Sequence, residues 1–272
     1  MTKPQRTVLI TGASSGIGKA TAQLLLLHGW KVIAAARRTD EMTDLCASGA
    51  EIFPLDITDI QSRQSLVTHV HEQFGVLDAL VNNAGFGEVG PIETMPIQTA
   101  QSLFEVNVFG LIGLTQMLLP GMRKHGKGRI INVSSIAGRF VTPGSGWYAA
   151  SKYALEALSD ALRLELHQFG IQVVIVEPGL IATGFENVAK ASMLEAQSDP
   201  AWTAMMRKVE QNWMEGFRRA SPADVVAKTI RKALEARAPN ARYRCGHRSE
   251  SVVIQKLLPT NVWDSIIRSQ MI

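Results

Sequence analysis

The chain has 272 residues, 46% of them apolar and 19% charged, with a formal net charge of +4. These proportions are those of a globular soluble protein, long enough for one large core or two small ones, and with no linker-like stretch, internal repeat or low-complexity segment a single domain is expected. Only two cysteines are present, Cys46 and Cys245, far apart in sequence, so no disulfide framework or thiolate metal site is expected and a reducing compartment fits.

The first unit reads as strand, loop and helix. Thr7-Val8-Leu9-Ile10 is a short apolar run that stops at Thr11-Gly12-Ala13-Ser14-Ser15-Gly16-Ile17-Gly18, and Ala20, Leu24, Leu25 and Leu27 then recur at helical spacing. Gly12 permits a tight turn, while Gly16 and Gly18 remove side chains where backbone approaches a pyrophosphate and where helix meets sheet. The helix start offers unpaired N–H groups to such an anion, with Ser14, Ser15 and Ile17 in the same loop. The spacing G-x-x-x-G-x-G is a variant of the dinucleotide fingerprint. Lys31-Val32-Ile33-Ala34-Ala35-Ala36 is the second strand, followed by Arg37 and Arg38. An acidic side chain at such a strand end accepts hydrogen bonds from the ribose of NAD. Two guanidinium groups there suit the 2′-phosphate of NADP instead.

Glu51-Ile52-Phe53-Pro54-Leu55 reads as a third strand, leading to Asp56 and Ile57 and a polar-faced helix over residues 59–74. Asp56 either accepts from an adenine amino group or caps that helix. Leu77-Asp78-Ala79-Leu80-Val81 is the fourth strand, and the small residues of Asn82-Asn83-Ala84-Gly85 let backbone pass close to a cofactor ribose. Residues 96–124 contain a long helix with Asn107 among apolar neighbours, where its amide must be fully paired and a place in a polar relay is expected. No uncharged apolar run approaches the length a bilayer requires, and the polar N-terminus has no secretory signal pattern, so a cytoplasmic location is expected.

Residues 129–133 read as a buried parallel strand that delivers Ser135 to its carboxyl end. The turn Thr142-Pro143-Gly144-Ser145-Gly146 then enters Tyr148-Ala149-Ala150-Ser151-Lys152. If Tyr148 opens a helix, Lys152 lies one turn on along the same face, which sets an ammonium beside a phenol. A phenol with a pKa of about 10 exchanges protons poorly at neutral pH unless a fixed cation favours its anion. Lys152 is expected to supply that cation while the Ser135 hydroxyl holds a carbonyl oxygen.

Residues 171–176 form the sixth strand, closed by Pro178-Gly179, with Ile181 and Thr183 following. Over residues 185–220, Met193, Met206, Trp213 and other large apolar side chains punctuate a polar background. Two readings stand: helices packed on the core, or a mobile lid whose Met206 and Trp213 meet substrate. Ser221 and Pro222 read as the cap and first position of another helix, Tyr243 lies in a seventh strand, and residues 247–272 form a helical tail interrupted at Pro259. The basic C-terminal third is either a solvated surface or a weak contact with a phosphate-bearing or membrane-borne partner, and nothing in it resembles a nucleic-acid-binding motif.

In this order and spacing, Thr11-Gly12-x-x-x-Gly16-x-Gly18, Asn82-Asn83-Ala84-Gly85, Asn107, Ser135, Tyr148-x-x-x-Lys152 and Pro178-Gly179 resemble the short-chain dehydrogenase/reductase family over residues 7–183. The resemblance implies an α/β, Rossmann-type, doubly wound seven-stranded parallel sheet in one domain, in the order 3-2-1-4-5-6-7, with a C-terminal helical extension. It implies a catalytic set of Asn107, Ser135, Tyr148 and Lys152, an NADP(H) site that also uses Asn83, Ala84, Gly85, Pro178, Gly179, Ile181 and Thr183, and a homodimer or homotetramer. The long C-terminal tail departs from the commonest bacterial pattern and, together with Asn83-Ala84-Gly85-Phe86-Gly87-Glu88-Val89-Gly90-Pro91-Ile92-Glu93, is similar to the hydroxysteroid, retinol and acyl-glycerone-phosphate reductase branch. The expected reaction is NADP(H)-dependent hydride transfer to or from a carbonyl or alcohol of an apolar substrate that is steroid-, retinoid- or acyl-lipid-like. The rival is a non-catalytic NADP(H)-binding regulatory protein, which the intact Ser-Tyr-Lys set disfavours.

Overall fold

The computed structural model describes residues 5–271. Its centre is a seven-stranded parallel sheet made of β1 (Thr7–Thr11), β2 (Lys31–Ala36), β3 (Glu51–Pro54), β4 (Ala79–Asn82), β5 (Gly128–Val133), β6 (Ile171–Pro178) and an edge strand (Arg242–Cys245). With β7 (Ile181–Ala182) and β8 (Ser221–Pro222) forming a separate two-stranded pair, that edge strand is β9, and the sheet order is β3-β2-β1-β4-β5-β6-β9. The order reverses between β1 and β4, where a doubly wound sheet opens a crevice at the carboxyl ends of its strands.

Strand residues alternate between two faces, and both faces here are apolar. Val8, Ile10, Val32, Ala34, Val81 and Ile131 belong to one core, completed by Leu25 of α1 (Gly16–Leu27) and by Val226 and Ile230 of α9 (Ala223–Glu235). Their strand neighbours Leu9, Ile33, Leu80 and Ile130 belong to the other. That second core is completed by Leu66 and Val70 of α3 (Ile60–Phe74), which follows the short α2 (Thr43–Ala47), and by Leu114, Leu118 and Met122 of α5 (Leu111–His125).

Between β4 and β5, α4 (Ile97–Phe104), a π turn (Glu105–Gly110) and α5 run on as one helix. This corrects the expectation about apolar length, because Ile97–His125 is long and apolar enough to cross a bilayer by length and composition. Its buried face forms part of the second core. Ser221 does not cap α9; it pairs with Ile181 in β8, and Pro222 occupies the cap position. Here a tertiary pairing overrides the local Ser-Pro signal.

The lid reading of residues 185–220 is corrected in part. Met193 of α7 (Phe185–Ala196) and Met206 and Val209 of α8 (Thr203–Phe217) are buried with Val89 and Ala189 in a third, smaller core. Part of the basic C-terminal third is paired internally. Arg242 lies 3.0 Å from Glu156 and 2.6 Å from Asp160, and Arg244 lies 3.9 Å from the buried Glu177. The tail forms α10 (Ser251–Leu257) and α11 (Thr260–Met271), broken around Pro259 as the sequence indicates.

Candidate active site

The carboxyl ends of the strands open into a cleft of about 1320 Å³. At one end lies the glycine loop between β1 and α1. Gly12, Ser14, Ser15, Gly16 and Ile17 line the cleft, whereas Gly18 sits one layer back. A Cβ on Gly18 would fall 2.3 Å from the Gly12 carbonyl oxygen and 2.5 Å from Asn83 Nδ2, so only glycine lets the helix start this close to the loop. Ser15, the N-cap residue, makes no side-chain cap bond, and the first N–H groups of α1 remain available to an anion.

Asn83, just past the end of β4, clamps this loop: its Nδ2 donates to the Thr11 and Gly12 carbonyls at 3.0 and 3.2 Å. In return Thr11 Oγ1 accepts from the backbone N–H groups of Asn83 and Ala84, both at 3.0 Å. Ala84 and Gly85 continue the lining. At the end of β2, Arg38 Nη2 donates to Ser14 Oγ and Ser15 Oγ at 3.4 Å. Arg37 also lines the cleft, and its charge helps hold the Asp56 carboxyl below the usual carboxylate range, behind the larger effect of hydrogen bonds from Thr58. Asp56 therefore forms a local turn with Thr58, and Asp59, which accepts from Gln61 and Ser62, is the cap of α3. Ile57 lines the cleft beside it. A glycine cradle, free N–H groups and a guanidinium-hydroxyl cluster fit the phosphates of a dinucleotide.

Mid-cleft, β5 ends at Ser134-Ser135 and α6 (Gly146–Glu165) brings in Tyr148 and Lys152. The Ser135 hydroxyl accepts from Ala137 N–H at 3.1 Å and sits close enough to the Tyr148 phenol to lower its pKa. Lys152 Nζ donates to the Val133 carbonyl at 3.1 Å and lies 5.9 Å from the centre of the Tyr148 ring. Burial pushes the Tyr148 phenol up to about 12, against a lowering by Ser135. Burial likewise pushes Lys152 down to about 8, against a raising by the Glu156 carboxylate. The expectation that Lys152 depresses the Tyr148 pKa is thus corrected for the chain by itself. Desolvation dominates both groups, and the ammonium is spent on a carbonyl.

Asn107 is fully buried in the π turn and does not line the cleft. Its Oδ1 accepts from Phe86 N–H at 3.1 Å, and its Nδ2 donates to the Phe86 carbonyl at 3.0 Å and to Ser151 Oγ at 3.1 Å. Ser151 Oγ donates in turn to the Tyr148 carbonyl at 2.7 Å. The side chain expected in a polar relay ties the segment after β4 to the turn of α6 that carries Tyr148. Pro178, Gly179, Ile181 and Thr183 close the cleft from the end of β6.

The far end is apolar. Phe140, Trp213 and Phe217 line it together with Ile254 of α10 and Trp263, Ile266 and Ile267 of α11. Phe140 and Trp263 stack edge to face at 5.5 Å, joining α11 to the segment that follows Ser135. Trp213 is where a substrate residue was expected. Met206 is not: it is 0% exposed in the third core, and its place in the substrate set is withdrawn because its side chain is consumed by packing between α7 and α8.

A family model of the short chain dehydrogenases matches residues 6–193. The chain belongs to the short-chain dehydrogenase/reductase family. It is an oxidoreductase of a family that binds a nicotinamide cofactor. A short-chain dehydrogenase from Streptomyces avermitilis has a crystal structure with 33% identity and a TM-score of 0.85, each chain covered to 99%. The uncharacterized oxidoreductase YbbO of Escherichia coli is 39% identical over 97% of this chain and 94% of its own length. An NADPH-dependent 3-dehydrocapnine reductase of Ornithobacterium rhinotracheale is 35% identical over 88% of this chain and 87% of its own.

Sequence reasoning missed the contribution of the tail to this family site. Trp263, Ile266 and Ile267 recur at helical spacing, so an inward apolar stripe was readable, but not what it faces. Gly87 was missed too: a Cβ there would meet Phe185 at 2.4 Å and Tyr148 at 3.2 Å, so it leaves room for the two rings, whose centres are 5.6 Å apart.

Proposed function

We propose that the protein is an NADP(H)-dependent reductase of an apolar ketone or aldehyde, of acyl-lipid, steroid or retinoid type, working in the cytoplasm. The observation that carries the substrate class is the apolar end of the cleft, where Trp213, Phe217, Trp263 and Ile266 adjoin the Ser135-Tyr148-Lys152 set. Each Å² of apolar substrate covered there contributes about 25 cal/mol. The choice of NADP(H) is supported by Arg38 bridging the loop hydroxyls, by Ala36 where a carboxylate would serve NAD, and by the NADPH-dependent relative.

The bound cofactor supplies the hydride that reduces the carbonyl carbon. Ser135 Oγ donates to the carbonyl oxygen and orients it. Tyr148 donates its phenolic proton to that oxygen as charge develops there. Its elevated pKa keeps the phenol protonated at neutral pH, the starting state that reduction requires. Lys152, buried behind it, donates to the Val133 carbonyl and so ties the end of β5 to α6 beneath the phenol, and Asn107 fixes the backbone on both sides of the site. Exposed Ile97, Phe109 and Leu164 support self-association through α4, the π turn and α6.

The test is NADPH oxidation followed by absorbance across a panel of lipophilic and short polar carbonyl compounds, repeated with NADH. Turnover of lipophilic members with a clear preference for NADPH is expected. Cofactor binding without turnover of any member would favour a regulatory NADP(H)-binding protein. Equal efficiency with both cofactors would refute the NADP assignment.

A further inference from the structure

Resting on this reading of the apolar end, we infer that Arg248 is a specificity-determining residue that binds the anionic group of an amphiphilic substrate. Arg248 lines the cleft alongside Trp213, Phe217 and Ile254. Arg242 and Arg244 nearby in sequence are paired with carboxylates, but among the described residues no hydroxyl, carbonyl or carboxylate pairs with the Arg248 guanidinium. A half-buried cation in an apolar wall is costly to desolvate unless a ligand anion completes it.

The backbone is committed to placing it there. Arg248 is the one non-glycine residue with a positive φ, 63°, among the described residues, a conformation that bulky side chains avoid. The turn that carries it is fastened to the end of β6: Leu180 N–H donates to the His247 carbonyl at 2.8 Å, and a Cβ on Gly179 would fall 2.0 Å from that same oxygen. On α8, a Cβ on Gly216 would lie 2.6 Å from Leu180 Cδ1 and 3.3 Å from Arg248 Nη1, so the absent side chain leaves both of them room against that helix. The cleft's carboxylates, Glu41, Asp56 and Glu105, come from the ends of β2 and β3 and from the π turn rather than from the tail. The chemistry favoured is an apolar chain or ring system bearing a carboxylate, phosphate or sulfonate.

The test compares dodecanoate with dodecanamide, two ligands of equal chain and different charge, by quenching of the cleft tryptophans with NADPH saturating. The wild type should bind dodecanoate about tenfold to a hundredfold more tightly, the range of a charge-assisted hydrogen bond. Arg248→Asn, which tolerates the left-handed backbone, should bring the two affinities within about twofold, and Arg248→Lys should restore part of the preference. NADPH affinity should be unchanged in both variants. No preference in the wild type, or a preference that survives in Arg248→Asn, overturns the assignment. A loss of NADPH affinity in Arg248→Asn overturns it as well, because the anion would then be the cofactor's. NADPH oxidation with lipophilic ketones is scored separately: its failure removes the redox reading while a charge preference in binding leaves Arg248 assigned.

Discussion

At the glycine-loop end of the cleft, space is made by leaving side chains out; at the far end it is enclosed by putting large ones in. Gly12, Gly16 and Gly85 present backbone to the ligand, fixed by reciprocal bonds between Thr11 and Asn83. Phe140, Trp213 and Trp263 come from three segments remote in sequence and meet only in the folded chain. The first end can read only a shape that all its ligands share, a dinucleotide. The second is walled by large apolar side chains, and on the proposed reading those walls carry the choice of substrate.

The comparison can be broken most severely where the two ends meet. Tyr148→Phe should lower kcat by about a thousandfold, within the range for losing a general acid, while cofactor affinity stays within a few-fold. Near-normal turnover in that variant would remove Tyr148 from the reaction and leave the two ends with no chemistry between them. Met206→Ala sharpens the far end. If Met206 is packing, the change should cost about 2–5 kcal/mol in urea unfolding with KM for a lipophilic ketone unchanged. A raised KM with unaltered stability would return Met206 to the substrate wall. Gly18→Ala probes the near end, where the added Cβ meets the Gly12 carbonyl oxygen at 2.3 Å. Overpacking should cost about 1–3 kcal/mol and weaken cofactor binding.

The smallest effect concerns charge between the ends. The folded chain holds Lys152 at about 8 against an ordinary value of 10.5, so between those values the unfolded state binds the extra proton. The burial penalty is therefore complete below pH 8 and fades as pH rises toward the ordinary value. Lys152→Met should raise the melting temperature of the cofactor-free chain at pH 7, and the advantage should shrink above pH 8. An advantage independent of pH would mean that desolvation is not what shifts the lysine.

The near end was legible in the sequence because each position there demands a residue type for a local reason. Gly18 must lack a Cβ, and Thr11 must offer the hydroxyl that accepts from the Asn83 and Ala84 N–H groups. The far end was legible only as apolar. Met206 and Trp213 sit seven residues apart on α8 and look alike in pattern, yet one is covered by α7 and the other faces the cleft beneath α11. Periodicity names a buried face without naming what buries it. The Tyr148 to Lys152 spacing was readable for the same reason as the loop, since it is a helical repeat. The sense of the electrostatics was not, because desolvation depends on every element that closes over the pair.

The most direct test of the central claim, an apolar carbonyl reduced against the wall formed by Trp213, Phe217, Trp263 and Ile266, is kcat/KM for a homologous series of methyl ketones with NADPH. Each added methylene should raise kcat/KM by about three- to fourfold, the equivalent of about 0.8 kcal/mol, until that wall is filled. A flat profile, or one that peaks at the shortest and most polar member, would contradict it.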